Sequence, residues 1–397
     1  MTTLPLYAQF INLLAAILLL LSFAMLSQRR VLSLIDLFAA QGLALAASTA
    51  IVAYGTGQTH LYASAGLTLV LKVFLLPWIL YRLMRRLERL PRVELHLHLE
   101  GSVSLARLRR LWGRRERAPD LPADPSVLFR HRSFPEFLRH FAMVTRALRT
   151  PEDLAAVAGD LSRSLRRQGI VAAEVLFSPV IFTRRGLPFL EILDAIEAAA
   201  KEGERRGGPA IRWLLDSVRQ WGAAGCEENL ECARAGGKRV LGIGLGGDEQ
   251  SVPAREFAAV YAEARRLGLR TVAHAGEFGG ARSVRDAVEW LGVERIGHGV
   301  RSGEDPGLVG MLRRERVPLE VCPTSNLRTG VVPRWESHPL PRMVRSGLRV
   351  TLNSDDPSLF GTRLAEEYRL AHRRLGLSPA SLFRIHRESI RASFLSP

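Results

Sequence analysis

Between Met1 and Gln28 there is no charged side chain, and residues 6–26 are almost wholly apolar. A helix needs about 20 such residues to cross the hydrocarbon core of a bilayer. The start of the chain therefore reads as membrane-spanning before anything else is decided. Two more apolar stretches follow, at 31–54 and 61–81. A secretory signal begins with positive charge and ends at a small-residue cleavage site, and this start has neither. Three long apolar neighbours within ninety residues predict three spanning helices rather than buried helices of a soluble core. Lys and Arg concentrate in cytoplasmic loops, which orients the set. Arg29 and Arg30 follow the first stretch, and Arg82, Arg85, Arg86 and Arg89 follow the third; the loop at 55–60 carries no basic residue except His60. Both basic segments fall on one side, so the expected arrangement has the N-terminus outside and the chain from residue 82 onward in the cytoplasm. Two ionisable residues lie within or near these stretches, where burial is costly: Asp36 near a helix end, and Lys72 deeper.

The character changes at residue 91. Only seven of the 55 Lys/Arg and two of the 39 Asp/Glu precede it. The formal net charge of +16 therefore describes neither part of the 397-residue chain. Over 91–397 the arginines are mixed with Glu and Asp, with no basic block interleaved with aromatics, so a solvated basic surface is expected and nucleic acid is not. Cys226, Cys232 and Cys322 are too few and too scattered for a disulfide framework, which points to a reducing compartment. Two parts follow: a three-helix membrane segment at 1–90 and a soluble domain at 91–397.

In the soluble part, short apolar or β-branched runs alternate with longer Ala/Leu/Arg/Glu stretches of helical character. The predicted strands are 93–98, 172–177, 211–215, 240–244, 270–274, 295–297, 318–321 and 348–352. Eight strands separated by helices fit an α/β fold of the (β/α)8 TIM-barrel type better than a doubly wound sheet, and the available length suffices. Chemistry in such a barrel comes from the C-terminal ends of the strands. Strand one ends in His96-Leu97-His98-Leu99-Glu100, strand five in His274-Ala275-Gly276-Glu277, strand six in Gly297-His298-Gly299 and strand eight in Asn353-Ser354-Asp355-Asp356. His96 and His98, two apart on a strand, share a face. Imidazoles with a carboxylate form the ligand set of a hydrolytic Zn²⁺, which lowers the pKa of its water from about 15.7 to about 7. One ion suffices, since no bridging Lys stands at a strand end. Phe134, Phe137, Leu138 and Phe141 recur at helical spacing, either as a face packed on the barrel or as a cover over the site.

The runs ELHLHLEGS, EVLFSP, GLGGDE, HAGE, ERIGHGV, LEVCPTSN and LNSDDPSLFGT, in this order, resemble the adenosine/adenine/AMP deaminase family of metal-dependent hydrolases. The resemblance covers residues 92–397. It implies a single Zn²⁺ held by His96, His98, His274 and Asp355. It further implies that Glu277 handles the purine ring-nitrogen proton and that His298 orients and deprotonates the water. Asp356 would bond the purine N7, the Gly247 backbone the N3 side, and Phe137 and Phe141 would belong to a hydrophobic lid. Glu100 stands where adenosine deaminases carry an Asp for the ribose 5′-hydroxyl; Glu is common there in adenine and aminodeoxyfutalosine deaminases. The implied reaction is hydrolytic deamination of a 6-aminopurine, with the exact purine open. Another amidohydrolase reaction, or a non-enzymatic component of a membrane complex, are the alternatives.

Residues 31–54 and 65–80 resemble the start of a membrane-protein family of the hydrogenase-4 complexes, over residues 1 to about 88 only. The expected product is a membrane-tethered, multi-pass deaminase with its catalytic domain in the cytoplasm. Were the junction a gene-joining artefact, a soluble cytoplasmic enzyme would remain.

Overall fold

The computed structural model describes residues 6–27, 31–88, 91–113 and 122–395. The chain divides into two compact units, Met1–Leu90 and Pro91–Pro397.

In the first unit the helices Leu6–Ser27, Ser33–Thr56 and His60–Arg82 are each long and apolar enough to cross a membrane, by length and composition. The third is irregular. It widens to a π-helix over Leu69–Leu75 before continuing as Leu76–Glu88. Pro77 explains the position: it has no N–H to give to the turn before it, and its ring crowds that turn. Polar side chains in these helices find partners on one another. Gln41 donates from Nε2 to Ser22 Oγ at 2.9 Å, and the Tyr81 hydroxyl donates to Asp36. Lys72 places its ammonium 5.8 Å from the Phe38 ring centroid. Of the arginines that set the expected orientation, Arg82 lies over Trp78 at 5.3 Å. Arg29, Arg30 and Arg89, and the side chains of Arg85 and Arg86, lie outside the described residues.

The second unit contains β1 (Arg92–His98), β2 (Ile170–Phe177), β3 (Ala210–Val218), β4 (Val240–Gly246), β5 (Arg270–Ala275), β6 (Arg295–His298), β7 (Leu319–Val321) and β8 (Val350–Leu352). They are hydrogen-bonded in sequence order, every pair parallel. All eight expected strands are present, and β3 runs three residues further than its apolar core suggests. Closure from β8 to β1 is made by backbone bonds just past the strand end: His98 N donates to Asp355 O at 2.9 Å, and Asp355 N to His96 O at 3.0 Å. The ring is thus sealed through site residues. β1 shows why its sequence gives both a wall and a site. Leu95 and Leu97 alternate with His96 and His98, so the aliphatic chains pack on one face and the imidazoles turn to the other, all of them buried.

Helices cover the strands as amphipathic elements. The helix Pro151–Arg167 starts with a capping box, in which Thr150 and Asp153 satisfy each other's backbone N–H groups, a device that removes two orphan donors. It buries Leu154, Val157, Ala158, Leu161 and Leu165 at the three-to-four-residue spacing of one helical face,. Below the site, the barrel interior is ionic rather than aliphatic. Arg295, 1% exposed, bonds Glu320 and pairs with Glu174 at 2.6 Å. The C-terminal residues close that end: Ala392 O accepts from Arg295 at 2.9 Å, and the Phe394 ring stacks under its guanidinium at 3.7 Å. A buried charge needs such partners on every side.

Candidate active site

The residues expected to act together do converge at the C-terminal mouth of the barrel. His98 Nε2 and His274 Nε2 are 3.3 Å apart. Asp355 Oδ1 lies 3.5 Å from both His96 Nε2 and His98 Nε2. Two corners of a tetrahedral Zn²⁺ site with bonds of about 2.0–2.1 Å stand roughly 3.3–3.4 Å apart, so these separations suit ligands of one ion. His96 Nε2 is buried without a hydrogen-bond partner, as expected of a ring nitrogen that reserves its lone pair for a cation. The opposite nitrogens are tied down: His96 Nδ1 to Glu320 Oε2 at 2.8 Å, and His274 Nδ1 to the Leu245 carbonyl at 3.1 Å. Such outer bonds fix the ring orientation and leave Nε2 as the ligating atom.

His298 also faces the cluster, and with His96, His274 and Asp355 it forms a group whose donor atoms all lie within 4.8 Å of one another. Its Nε2, however, is 3.8 Å from the second Asp355 oxygen, Oδ2, and 3.7 Å from Glu277 Oε2. It stands between the carboxylate of the ligand cluster and Glu277, with Asn326 Nδ2 at 3.2 Å holding Nδ1. His298 and Asp355 both have φ of +62°, a left-handed conformation costly for residues with a Cβ. Strain at two neighbouring strand ends is maintained because each aims its side chain inward.

Glu277 is buried in the cavity wall. Burial first, then the charges of Asp355 and Glu249, hold its carboxyl well above the usual range, so the protonated form is favoured at neutral pH. The loop that carries it is anchored by Glu249: its carboxylate accepts from the backbone N–H groups of Gly276, Glu277, Phe278 and Gly279, the last three at 2.7–3.0 Å. Asp356 is 3% exposed. Burial and the adjacent Asp355 push its carboxyl well up too. A Cβ on Gly101 would overlap the Asp356 carboxylate, which explains why the turn after β1 carries glycine there. Gly247, at φ +93°, presents backbone to the same cavity.

The cavity has a volume of about 290 Å³. Phe134, Phe137 and Phe141, from the helix Phe134–Ala147, line one wall. Both readings of this aromatic face hold at once: Phe137 packs against Phe360 at 4.9 Å, and Phe141 meets the His98 ring at 6.5 Å. Glu100 is placed differently. It is fully buried, accepts from Ser178 N at 2.9 Å, and is not among the residues lining the cavity. Burial brings its carboxyl up to about 7.

Several site residues escaped the sequence reading. Asp216, at the end of β3, lines the cavity, lies 3.9 Å from His98 Nδ1 and is pushed up to about 8, by burial and then by Glu100. Its only sequence signal was an acid just after an apolar run. Glu249, Glu320 and Asn326 lay inside motifs already singled out, yet nothing local marked them as partners of Glu277, His96 and His298.

The adenosine deaminase family model matches residues 91–397, the whole of the second unit. An aminodeoxyfutalosine deaminase from Streptomyces avermitilis is 40% identical over 314 residues, covering 77% of this chain and 87% of the relative. The solved adenine deaminase from Arthrobacter aurescens superposes with a TM-score of 0.73 at 31% identity, over 77% of this chain and 94% of that one. An amidohydrolase from B. ambifaria, solved with bound Zn, gives the same TM-score at 28% identity, over 78% and 87% of the two chains. With a barrel of this order and a His/Asp cluster at its mouth, the chain belongs to the adenosine deaminase family.

Proposed function

We propose that this chain is a Zn²⁺-dependent hydrolase that replaces the 6-amino group of a purine base or nucleoside with oxygen and releases ammonia. The observation that carries the reading is the buried cluster of His96, His98, His274 and Asp355, with Glu277 and His298 facing it across one cavity. Those four residues would hold the ion, which supplies a water of lowered pKa. The names of the relatives, adenine and aminodeoxyfutalosine deaminase, support a 6-aminopurine as substrate.

The side chains divide the proton traffic. Glu277, kept protonated by its surroundings, gives its proton to the purine ring nitrogen N1 and makes C6 electrophilic. His298 orients the attacking water and takes its proton. The tetrahedral carbon then expels ammonia and leaves a 6-oxopurine. N7 of a purine is an acceptor, so Asp356 must carry a proton to bond it, the form that its burial beside Asp355 favours. The Gly247 backbone serves the N3 side, and Phe137 and Phe141 exclude water above the ring. Glu100 acts from beneath the turn after β1 and sets the shape of the substrate's far side.

The test is ammonia release by full-length, zinc-loaded protein from adenine, adenosine and aminodeoxyfutalosine. At least one is expected to turn over, and Glu277→Gln should reduce kcat/KM by roughly 10²–10⁴-fold. Silence toward all three substrates would refute the reading.

The three apolar helices of residues 1–90, by the arginine placement, would tether this activity to a membrane with the barrel in the cytoplasm.

A further inference from the structure

Deep in the cavity the ionisable groups are acids and imidazoles: Asp216, Glu277, Asp355, Asp356, His98, His274 and His298. One lining residue has the opposite character. Arg185 follows the short helix Val180–Thr183 and reaches the C-terminal turn of the helix Phe134–Ala147. Its Nη1 donates to the Thr145 carbonyl at 2.8 Å and its Nη2 to the Thr145 hydroxyl at 3.2 Å. Its guanidinium lies 5.6 Å from the Phe182 ring centroid. The head group is thus fixed in place, yet these bonds use two of its five N–H donors.

No carboxylate pairs with Arg185 among the described residues, whereas the neighbouring Arg184 is held by Glu228 through two bonds of 2.9 and 2.6 Å. The charges that bear on Arg185 are those of Arg146 and Arg149, and their repulsion, after the cost of partial burial, lowers its pKa. A fixed guanidinium with spare donors, neighbouring cations and access to a catalytic cavity is a receptor for an anion. Arg185 itself is exposed at the cavity edge, where a large substituent on the purine would emerge.

We propose that Arg185, reinforced by the charge of Arg146 and Arg149, binds an anionic group, a carboxylate or a phosphate, on the N9 substituent of the 6-aminopurine, and so favours acid-bearing nucleosides over neutral ones. The proposal rests on the deaminase reading and names the substrate class within it. It assigns the two ends of the cavity distinct tasks: acids and imidazoles handle the purine, and the arginine selects what the purine carries.

The experiment compares kcat/KM for adenosine, AMP and adenosine-5′-carboxylate on the wild type, Arg185→Gln and Arg185→Lys. Either anionic substrate should exceed adenosine in the wild type; AMP reports phosphate, the carboxylate analogue its own group. Arg185→Gln should lower that anionic-to-neutral ratio about tenfold, a modest figure because the site is partly screened by solvent. Arg185→Lys should keep part of it, and 0.5 M salt should erode it. Equilibrium binding of the products inosine and IMP, by calorimetry, reads the same contact without turnover. Tighter IMP binding that depends on Arg185, in a protein that deaminates nothing, keeps the anion site and sinks the deaminase reading. Equal handling of anionic and neutral compounds by the wild type overturns the proposal, as does an Arg185→Gln variant that depresses all of them by one common factor.

Discussion

Replacing Glu320 by Gln probes whether the barrel floor governs the metal site. Glu320 is 1% exposed, accepts from His96 Nδ1 at 2.8 Å, and takes the Arg295 Nε–H on its other oxygen. A carboxylate accepts both bonds; an amide has one oxygen and one NH₂ and must choose. With its oxygen kept on Arg295, which is charged and buried, the amide NH₂ faces His96. The ring then accepts at Nδ1 and carries its proton on Nε2, the atom aimed at the cluster. Removing an outer-shell carboxylate of this kind typically costs about 10–100-fold in metal affinity, or about 1.4–2.7 kcal/mol, and the wrong tautomer argues for the upper end. Stability should fall as well. Breaking a buried ion pair costs about 3–5 kcal/mol, and Arg295 retains Glu174 at 2.6 Å, so the lower bound applies. Chelator competition for zinc gives the affinity, and a denaturant midpoint monitored by circular dichroism gives the stability. A Glu320→Gln protein that is destabilised but binds zinc within twofold of the wild type would refute the reasoning, since the link to His96 would then carry no weight.

Two further tests address other parts of the molecule. Glu367 is buried, accepts from Thr324 N at 3.1 Å, and has its carboxyl raised from 4.5 to about 7, chiefly by burial. Its folded pKa lies above the unfolded one, so the stability it contributes is complete below pH 4.5 and is lost as pH rises through 7, about 3 kcal/mol in all. Glu367→Gln should gain on the wild type across that window in urea unfolding at stepped pH, and parallel profiles would contradict the assignment. For the membrane segment, native protein should be recovered in the membrane fraction and yield peptides spanning residues 86–98 by mass spectrometry; a soluble protein lacking those peptides would show the junction to be an artefact.

The chemistry depends on residues in unfavourable states. Glu277 and Asp356 are carboxyls held in the neutral form, and His298 and Asp355 occupy left-handed backbone. Each state is maintained by its surroundings: Glu249 gathers four backbone N–H groups of the Glu277 loop, and Asp355 is held on both sides by backbone bonds to β1. The outer residues therefore determine what the inner ones can do, and so they are sensible targets for altering activity without touching substrate.

Much of this architecture is legible from local pattern. The three apolar stretches announce themselves by length, the eight strands by period, and His96, His98, His274, His298 and Asp355 by standing at strand ends. These are properties of a few consecutive residues, and the side-chain alternation of a strand transmits them without help from the rest of the chain. Other features are decided only in three dimensions. His96 meets Glu320 across 224 positions, and Ser354 N meets Glu94 across 260. Asp216 enters the cavity because β3 extends beyond its apolar run, Glu100 turns away to Ser178, and Arg185 becomes a cavity residue by bonding to Thr145 on another helix. A hydrogen bond between distant positions leaves no periodic trace in either segment. The amino-acid sequence by itself determined the membrane helices, the barrel and the inner ring of the site, while barrel closure alone chose the partners that fix tautomers, proton affinities and the charge at the cavity mouth.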